Sequence, residues 1–177
     1  MYKWLIIIAC FVVFAGCKKS EDVQAQRTQQ AAIDDKAIED YIKTNNIPAI
    51  KVGAGRAVDT TGVWYVVENA GTTPAVYTSA TTITVGFTAK TLLDQNTFTS
   101  TSDIHPSFVL GSVIKAWQFG IAAAKPGING KVRIITASRY AYGPYPQPQY
   151  GKNSKGDYNL PANALLDFEI EIFDVKN

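Results

Sequence analysis

Between Leu166 and Ile172 the chain alternates without a break. Leu166, Phe168, Ile170 and Ile172 fall on one side, and Asp167, Glu169 and Glu171 on the other. Successive side chains of a strand point to opposite faces, so this run demands one face in a core and one in water. Ile83, Val85 and Phe87 repeat the pattern among threonines, and Lys131-Val132-Arg133-Ile134 repeats it again. After Gly62, Val63-Trp64-Tyr65-Val66-Val67-Glu68 is aromatic and β-branched, and Asn69-Ala70-Gly71 ends it. Strands with one wet face pair antiparallel, whereas parallel sheets are covered on both sides.

One helical pattern among these strands can cover the apolar face. In Phe108-Val-Leu-Gly111-Ser112-Val113-Ile114-Lys-Ala116-Trp117-Gln-Phe-Gly120-Ile121, residues Val113, Ile114, Trp117 and Ile121 share one side of a helix. Ser112 is placed to cap its start, and Pro126-Gly127 stops it. Periodicity alone reads that face as the inner stripe of an amphipathic helix. A second helix is predicted over 34–47, where Ile38, Tyr41 and Ile42 share a face, Asp34 and Asp35 mark the start, and Asn45-Asn46 then Pro48 end it. It either packs on the domain or spaces it from a membrane. The fold class is α+β: a twisted antiparallel β-sheet wrapped around one short central helix, with an N-terminal helix.

The first residues read as an address. Leu5 to Phe14 is an apolar run too short to span a bilayer comfortably, and Ala15-Gly16-Cys17 follows. Small residues before a cysteine resemble a bacterial lipobox, which makes 1–16 a lipoprotein signal peptide and Cys17 the lipidated first residue. Phe14 stands where that pattern more often has Leu or Val. Residues 17–33 are polar and read as a flexible tether. Within them Ser20-Glu21-Asp22 is either plain linker or an acidic export signal of the kind found on surface lipoproteins. The expected location is the Gram-negative cell envelope, lipid-anchored at the outer membrane on its periplasmic or surface face. The remaining chain, 48–177, is long enough for one domain.

Composition removes several chemistries. The cysteines are Cys10, in the signal, and Cys17, so the processed chain offers no disulfide and no cysteine zinc site. His105 is the only histidine, which excludes a multi-histidine metal centre and leaves a Ser-His-Asp triad a single candidate. Seventeen basic against 15 acidic residues give no electrostatic case for nucleic acid.

Five segments come in a recognisable order: Phe98; Phe108-Val-Leu-Gly111; Val113-Ile114-Lys-Ala-Trp117; Tyr140-Ala-Tyr142-Gly143; and Leu160-Pro161-Ala-Asn163-Ala-Leu-Leu-Asp-Phe168. Together they resemble the FKBP-type peptidyl-prolyl cis-trans isomerases, in particular the lipoprotein members. The strong match covers about Ile83 to Val175, and 50–71 is similar to the family's leading strand less specifically.

The resemblance implies an apolar site that turns proline peptide bonds without cofactor or metal. Trp117 matches the indole floor, Phe98 and Phe168 match aromatic walls, and Phe87 matches a wall position that is usually tyrosine. Phe108 and Val113 complete the lining. The Ile114 N–H and the Tyr142 hydroxyl match the donors to flanking substrate carbonyls. Implied partners are proline-containing polypeptides, macrolides of the FK506 type and, through the lipid, a membrane. Three positions depart from the family pattern: Thr99 for an aspartate, Ala116 for the glycine before tryptophan, and Ala89 for a glycine at a strand end. Thr99 removes a carboxylate from the rim, which leaves a catalytically weak peptide-binding module or chaperone as the alternative function. The long loop between Gly143 and Leu160, with Tyr145, Tyr150 and Tyr158, is either a tolerated insertion or an extension of the peptide surface.

Overall fold

The computed structural model describes residues 15–53, 62–72 and 75–177, with side chains from Asp22 onward. Among the described residues two α-helices and seven strands follow one another as α1 (Ala15–Thr44), β1 (Ile50–Lys51), β2 (Val63–Asn69), β3 (Thr82–Thr91), β4 (Thr97–Ser100), β5 (Ser107–Val109), α2 (Lys115–Ala124), β6 (Lys131–Thr136) and β7 (Leu166–Lys176). The alternating run becomes β7, hydrogen-bonded along β6 on one side and β3 on the other. The sheet runs β1-β2-β6-β7-β3-β4 with β5 also on β3, every pair antiparallel. Helix α2 packs against β2 and β6 on the apolar face, so the expected α+β architecture is the observed one.

Glycine sets how closely α2 approaches the sheet. A Cβ on Gly120 would lie 2.6 Å from Ile134 Cδ1, and Ile134 is fully buried. The main core gathers Ile83, Val85 and Ala89 of β3, Phe168, Ile170 and Ile172 of β7, and Trp117 and Ile121 of α2. Ala116, where the family has glycine, is fully buried within it.

The start of α2 differs from the expected one. Leu110–Ser112 forms a separate 3₁₀ turn, Val113 and Ile114 are extended, and Ile114 is the N-cap. Ser112 lies too far ahead of the first helical N–H groups to cap them, and its hydroxyl donates instead to the Val109 carbonyl at 2.7 Å. The side-chain amide of Gln118 braces this entry, donating to the Val113 carbonyl at 2.7 Å and the Gly111 carbonyl at 3.2 Å. The exit follows the sequence: Lys125 turns left-handed at φ 50°, its N–H reaching the Ile121 carbonyl at 2.8 Å, and Pro126 follows.

Helix α1 is longer than the predicted 34–47 and takes in the segment read as a tether. Residues 22–29 are exposed on all sides, so no apolar stripe announced a helix there, although Gln, Ala and Arg favour one. Asp34 and Asp35 are therefore mid-helix rather than at its start. Its second half lies on the outer face of the sheet, where Ile38 joins Leu92, Ile135, Ala137 and Leu165 in a second core flanked by Trp64, Tyr41 and Ile42. That cover also overturns Asp167 as a water-facing residue: it is 2% exposed and gripped by Arg133 at 2.9 and 2.7 Å. The helix ends as expected, with Asn46 left-handed at φ 51° and the Ile47 N–H returning to the Ile42 carbonyl. Among the described residues no helix is long and apolar enough to cross a membrane. The apolar run 5–14 lies outside the described residues, as does the side chain of Cys17.

Candidate functional site

Trp117, on the first turn of α2, is held edge-to-face by three phenylalanines. Its ring centroid stands 5.0 Å from Phe87, 6.1 Å from Phe108 and 5.7 Å from Phe168, with interplanar angles of 82°, 88° and 89°. Such T-shaped pairs favour this geometry through the ring quadrupoles. The indole is 4% exposed, and its Nε1–H has no hydrogen-bond partner among the described residues. A buried orphan donor costs about 1–3 kcal/mol, so this floor is not optimised for stability alone.

A second group of rings adjoins the first. Phe98 stands 6.5 Å from Phe168, 6.3 Å from Tyr142 and 5.0 Å from Tyr150. The sheet brings Phe98 there through a bulge: Ala89 pairs with Thr99 while Lys90 pairs with Thr97, leaving Phe98 as the extra residue. Ala89 is fully buried on the concave face, and its partner Thr99 therefore lies on that face too, half-buried. Thr99 brings a hydroxyl and no carboxylate to this position.

Tyr142 is delivered by a turn anchored at both ends. Ser138–Tyr140 is one 3₁₀ turn, and Gly143, at φ 73°, returns its N–H to the Ser138 carbonyl at 2.9 Å. Beyond it, the Gly143 carbonyl accepts from the Asn163 N–H at 2.9 Å. The Tyr142 hydroxyl lies 2.9 Å from that of Tyr150. Burial first, and then this hydrogen bond, push the Tyr142 hydroxyl pKa well above that of a free phenol, so it stays protonated.

The expected residues Phe87, Phe98, Phe108, Val113, Ile114, Trp117, Tyr142 and Phe168 all belong to or pack on the main core. Ile114, as N-cap, holds its N–H ahead of the intrahelical ladder, where a ligand carbonyl can take it. Gln118 and Tyr150 were not among the residues expected at the site. Gln118 carried no signal beyond its position one turn into the helix, whereas Tyr150 stood in a loop already marked by its tyrosines. An open groove of about 440 Å³ lies on the opposite face of the sheet, lined in part by Glu68, His105, Lys131, Glu169 and Glu171. Its charged walls suit no proline ring. Among the described residues no cluster of His, Cys, Asp or Glu could hold a metal ion.

An antiparallel sheet folded over one short helix, with a tryptophan floor inside a ring of phenylalanines, defines an FKBP-like domain. The chain belongs to that family: the model for FKBP-type peptidyl-prolyl cis-trans isomerase matches residues 74–173. It is similar to the FKBP-type peptidyl-prolyl cis-trans isomerase FkpA of Buchnera aphidicola, 28% identical over 124 residues that make up 70% of this chain and 44% of that one. FkpA of Escherichia coli K12 is 31% identical over 126 residues, 69% of this chain and 41% of the relative. The chain thus spans less than half the length of these curated relatives. Among solved structures, E. coli FkpA superposes with a TM-score of 0.55 at 24% identity over 90% of this chain and 67% of that one. A Pseudomonas syringae peptidyl-prolyl isomerase gives 0.59 at 20% identity over 82% and 96%. At these identities the two structures speak for the fold.

Proposed function

We propose that this protein is a peptidyl-prolyl cis-trans isomerase that acts on proline-containing polypeptides at the Trp117 site. The observation that carries the reading is the buried indole of Trp117 held edge-to-face by Phe87, Phe108 and Phe168, with Tyr142 and the N-cap residue Ile114 packed on the same core. An Xaa-Pro amide is held planar by resonance, with a barrier of about 18–20 kcal/mol. At the twisted top of the barrier resonance is lost, and the amide carries less charge separation. Apolar walls of Phe87, Phe98 and Phe168 disfavour the polar planar form more than the twisted one, which lowers the barrier without acid, base or metal. Hydrogen bonds from Tyr142 and Ile114 fix the flanking carbonyls, so that rotation is confined to one bond.

Thr99 supports a second reading. Without a rim carboxylate, the same pocket serves a peptide-binding module or chaperone with slow turnover. A protease-coupled assay of the full chain on a series of proline tetrapeptides separates the two. Under the isomerase reading, wild type accelerates turnover, and Trp117→Leu, which keeps much of the apolar volume, abolishes both turnover and binding of an FK506-type macrolide. Wild type that binds the macrolide yet leaves the isomerisation rate unchanged establishes the binding module instead. If folded Trp117→Leu binds and turns over as wild type does, the site lies elsewhere.

The site works, in this reading, on extracytoplasmic chains, with Cys17 lipidated and 1–16 removed. Small residues before Cys17 and the apolar run 5–14 support the anchor. One acyl chain gives only marginal membrane binding, so durable attachment needs more than one. Cys17→Ser releases the protein from membranes or leaves it unprocessed. An intact mass for the mature chain that starts elsewhere and carries no acyl group rules the anchor out.

A further inference from the structure

We propose that Tyr150, on the long loop after Gly143, is a positioning residue for isomerisation: its hydroxyl aims that of Tyr142 at the substrate carbonyl. It supplies a hydrogen-bond partner for Tyr142 where Thr99, next to Phe98, has no carboxylate to offer. The inference rests on the reading of the Trp117 site given above. A phenol carries one proton, which lies near the ring plane and can point towards either ortho edge. When Tyr142 donates to a peptide carbonyl, its oxygen must accept from Tyr150 across the 2.9 Å contact, and that acceptance fixes the direction of the remaining O–H.

Tyr150 is held firmly enough for this. It closes the 3₁₀ turn Pro148–Tyr150, whose first residue is a proline with φ already set. Its N–H donates to the Gln147 carbonyl at 3.2 Å, its carbonyl accepts from Asn159 Nδ2 at 2.8 Å, and the next residue, Gly151, accepts from the Asn159 N–H at 3.0 Å. Its ring stands 5.0 Å from Phe98 at 74° and 5.7 Å from Tyr142 at 77°. The two hydroxyls therefore meet between rings that both stand edge-on to Phe98. The loop is thereby part of the site rather than a bystander. The elevated pKa of Tyr142 keeps its own hydroxyl protonated, as a donor must be.

Five variants of the full chain, with wild type, test the proposal: Tyr150→Phe, Tyr142→Phe, both together, Tyr150→Phe with Thr99→Asp, and Trp117→Leu. Each phenylalanine keeps its ring, and melting temperatures within a few degrees of wild type establish that the site is intact. Tyr150→Phe is expected to lower kcat/KM roughly twofold to tenfold, the range of one net hydrogen bond. Because Tyr150 acts through Tyr142, the double phenylalanine variant should be no slower than Tyr142→Phe alone. Adding Thr99→Asp to Tyr150→Phe should restore part of the loss. Full activity in Tyr150→Phe alongside a loss in Tyr142→Phe overturns the proposal and leaves the site reading standing. A double variant slower than Tyr142→Phe by the whole Tyr150 effect also overturns it, because Tyr150 then contacts substrate on its own. Indifference of turnover to Tyr142→Phe and to Trp117→Leu sinks the site reading itself.

Discussion

The carboxylate of Asp34, in the middle of α1, accepts both the backbone N–H of Ser138 at 3.1 Å and its hydroxyl at 2.6 Å. One position on, Asp35 takes both its contacts from Arg139 Nη2, at 2.7 and 2.8 Å. The N-terminal helix is thus tied to the turn that carries Tyr142. Gly62 makes the approach possible, since a Cβ there would lie 2.6 Å from Ala137 Cβ and 2.7 Å from Asp35 Oδ1.

Asp34→Ala leaves a buried N–H and a buried hydroxyl without their acceptor. The expected loss is about 2–4 kcal/mol, one to two unsatisfied polar groups, read from urea denaturation. Amide exchange should quicken at 138–143 before the rest of the sheet. Exchange that quickens evenly over all strands means the clamp does not organise this turn.

How far the sequence carried these conclusions depended on whether a feature was periodic. The alternation at 166–172 dictated β7 and its inner face, and the Trp117–Ile121 spacing pointed to a helix on that face, although Val113 and Ile114, counted on the same stripe, are extended. Asp167 broke the same rule because α1 covers that end of the outer face, and strand periodicity carries no information about what a distant helix does. The helical path of 22–33 was not legible for a related cause: a helix polar on every side has no stripe to detect. The aromatic residues that gather around Trp117 stood out in the sequence by their order along the chain. The Tyr142–Tyr150 contact was not, because it depends on the path of a loop that hydrogen bonds from Asn159 and Gln147 define.

Gly120→Ala sets two effects against each other. Alanine gains about 1 kcal/mol of helix propensity, but its methyl would sit 2.6 Å from Ile134 Cδ1 and 2.9 Å from Cγ1 in a fully buried position. Overpacking of this kind costs about 1–3 kcal/mol, so the clash prevails and thermal stability falls by a net ~1 kcal/mol. Combining it with Ile134→Val, which removes Cδ1, should recover most of the loss. No recovery in the pair means that the cost does not come from this contact.

Tyr77 makes stability sensitive to alkali. Its hydroxyl donates to the Pro126 carbonyl at 2.6 Å, and burial pushes its pKa from 10.0 up to about 12. The folded state then holds this proton where the unfolded state has released it, so the stabilisation is complete below pH 10 and drains away as pH rises towards 12. Tyr77→Phe should flatten the fall of the urea midpoint over that window. Part of the slope should persist, because Tyr142 is raised as well. An unchanged slope in Tyr77→Phe means that Tyr77 does not titrate in this range.

Two ion pairs on neighbouring positions of β7 should behave oppositely. Asp167 is 2% exposed on its side chain and bonded twice to Arg133, whereas Glu169 is 51% exposed and meets Lys90 at 2.9 Å. Lys90→Met leaves a carboxylate that water can solvate, and the expected cost is below about 1 kcal/mol. Arg133→Met leaves a buried carboxylate with, among the described residues, only the 3.4 Å contact from Gln95 Nε2, and the expected cost is about 3–5 kcal/mol. The double variant Arg133→Met with Asp167→Leu removes both charges and should regain most of that loss, since an apolar pair of similar volume suits the core beneath α1. Raising salt should shrink the Lys90 effect and hardly touch the Arg133 one, because buried pairs are screened least. Equal costs for the two single variants would mean that α1 does not keep water from Asp167.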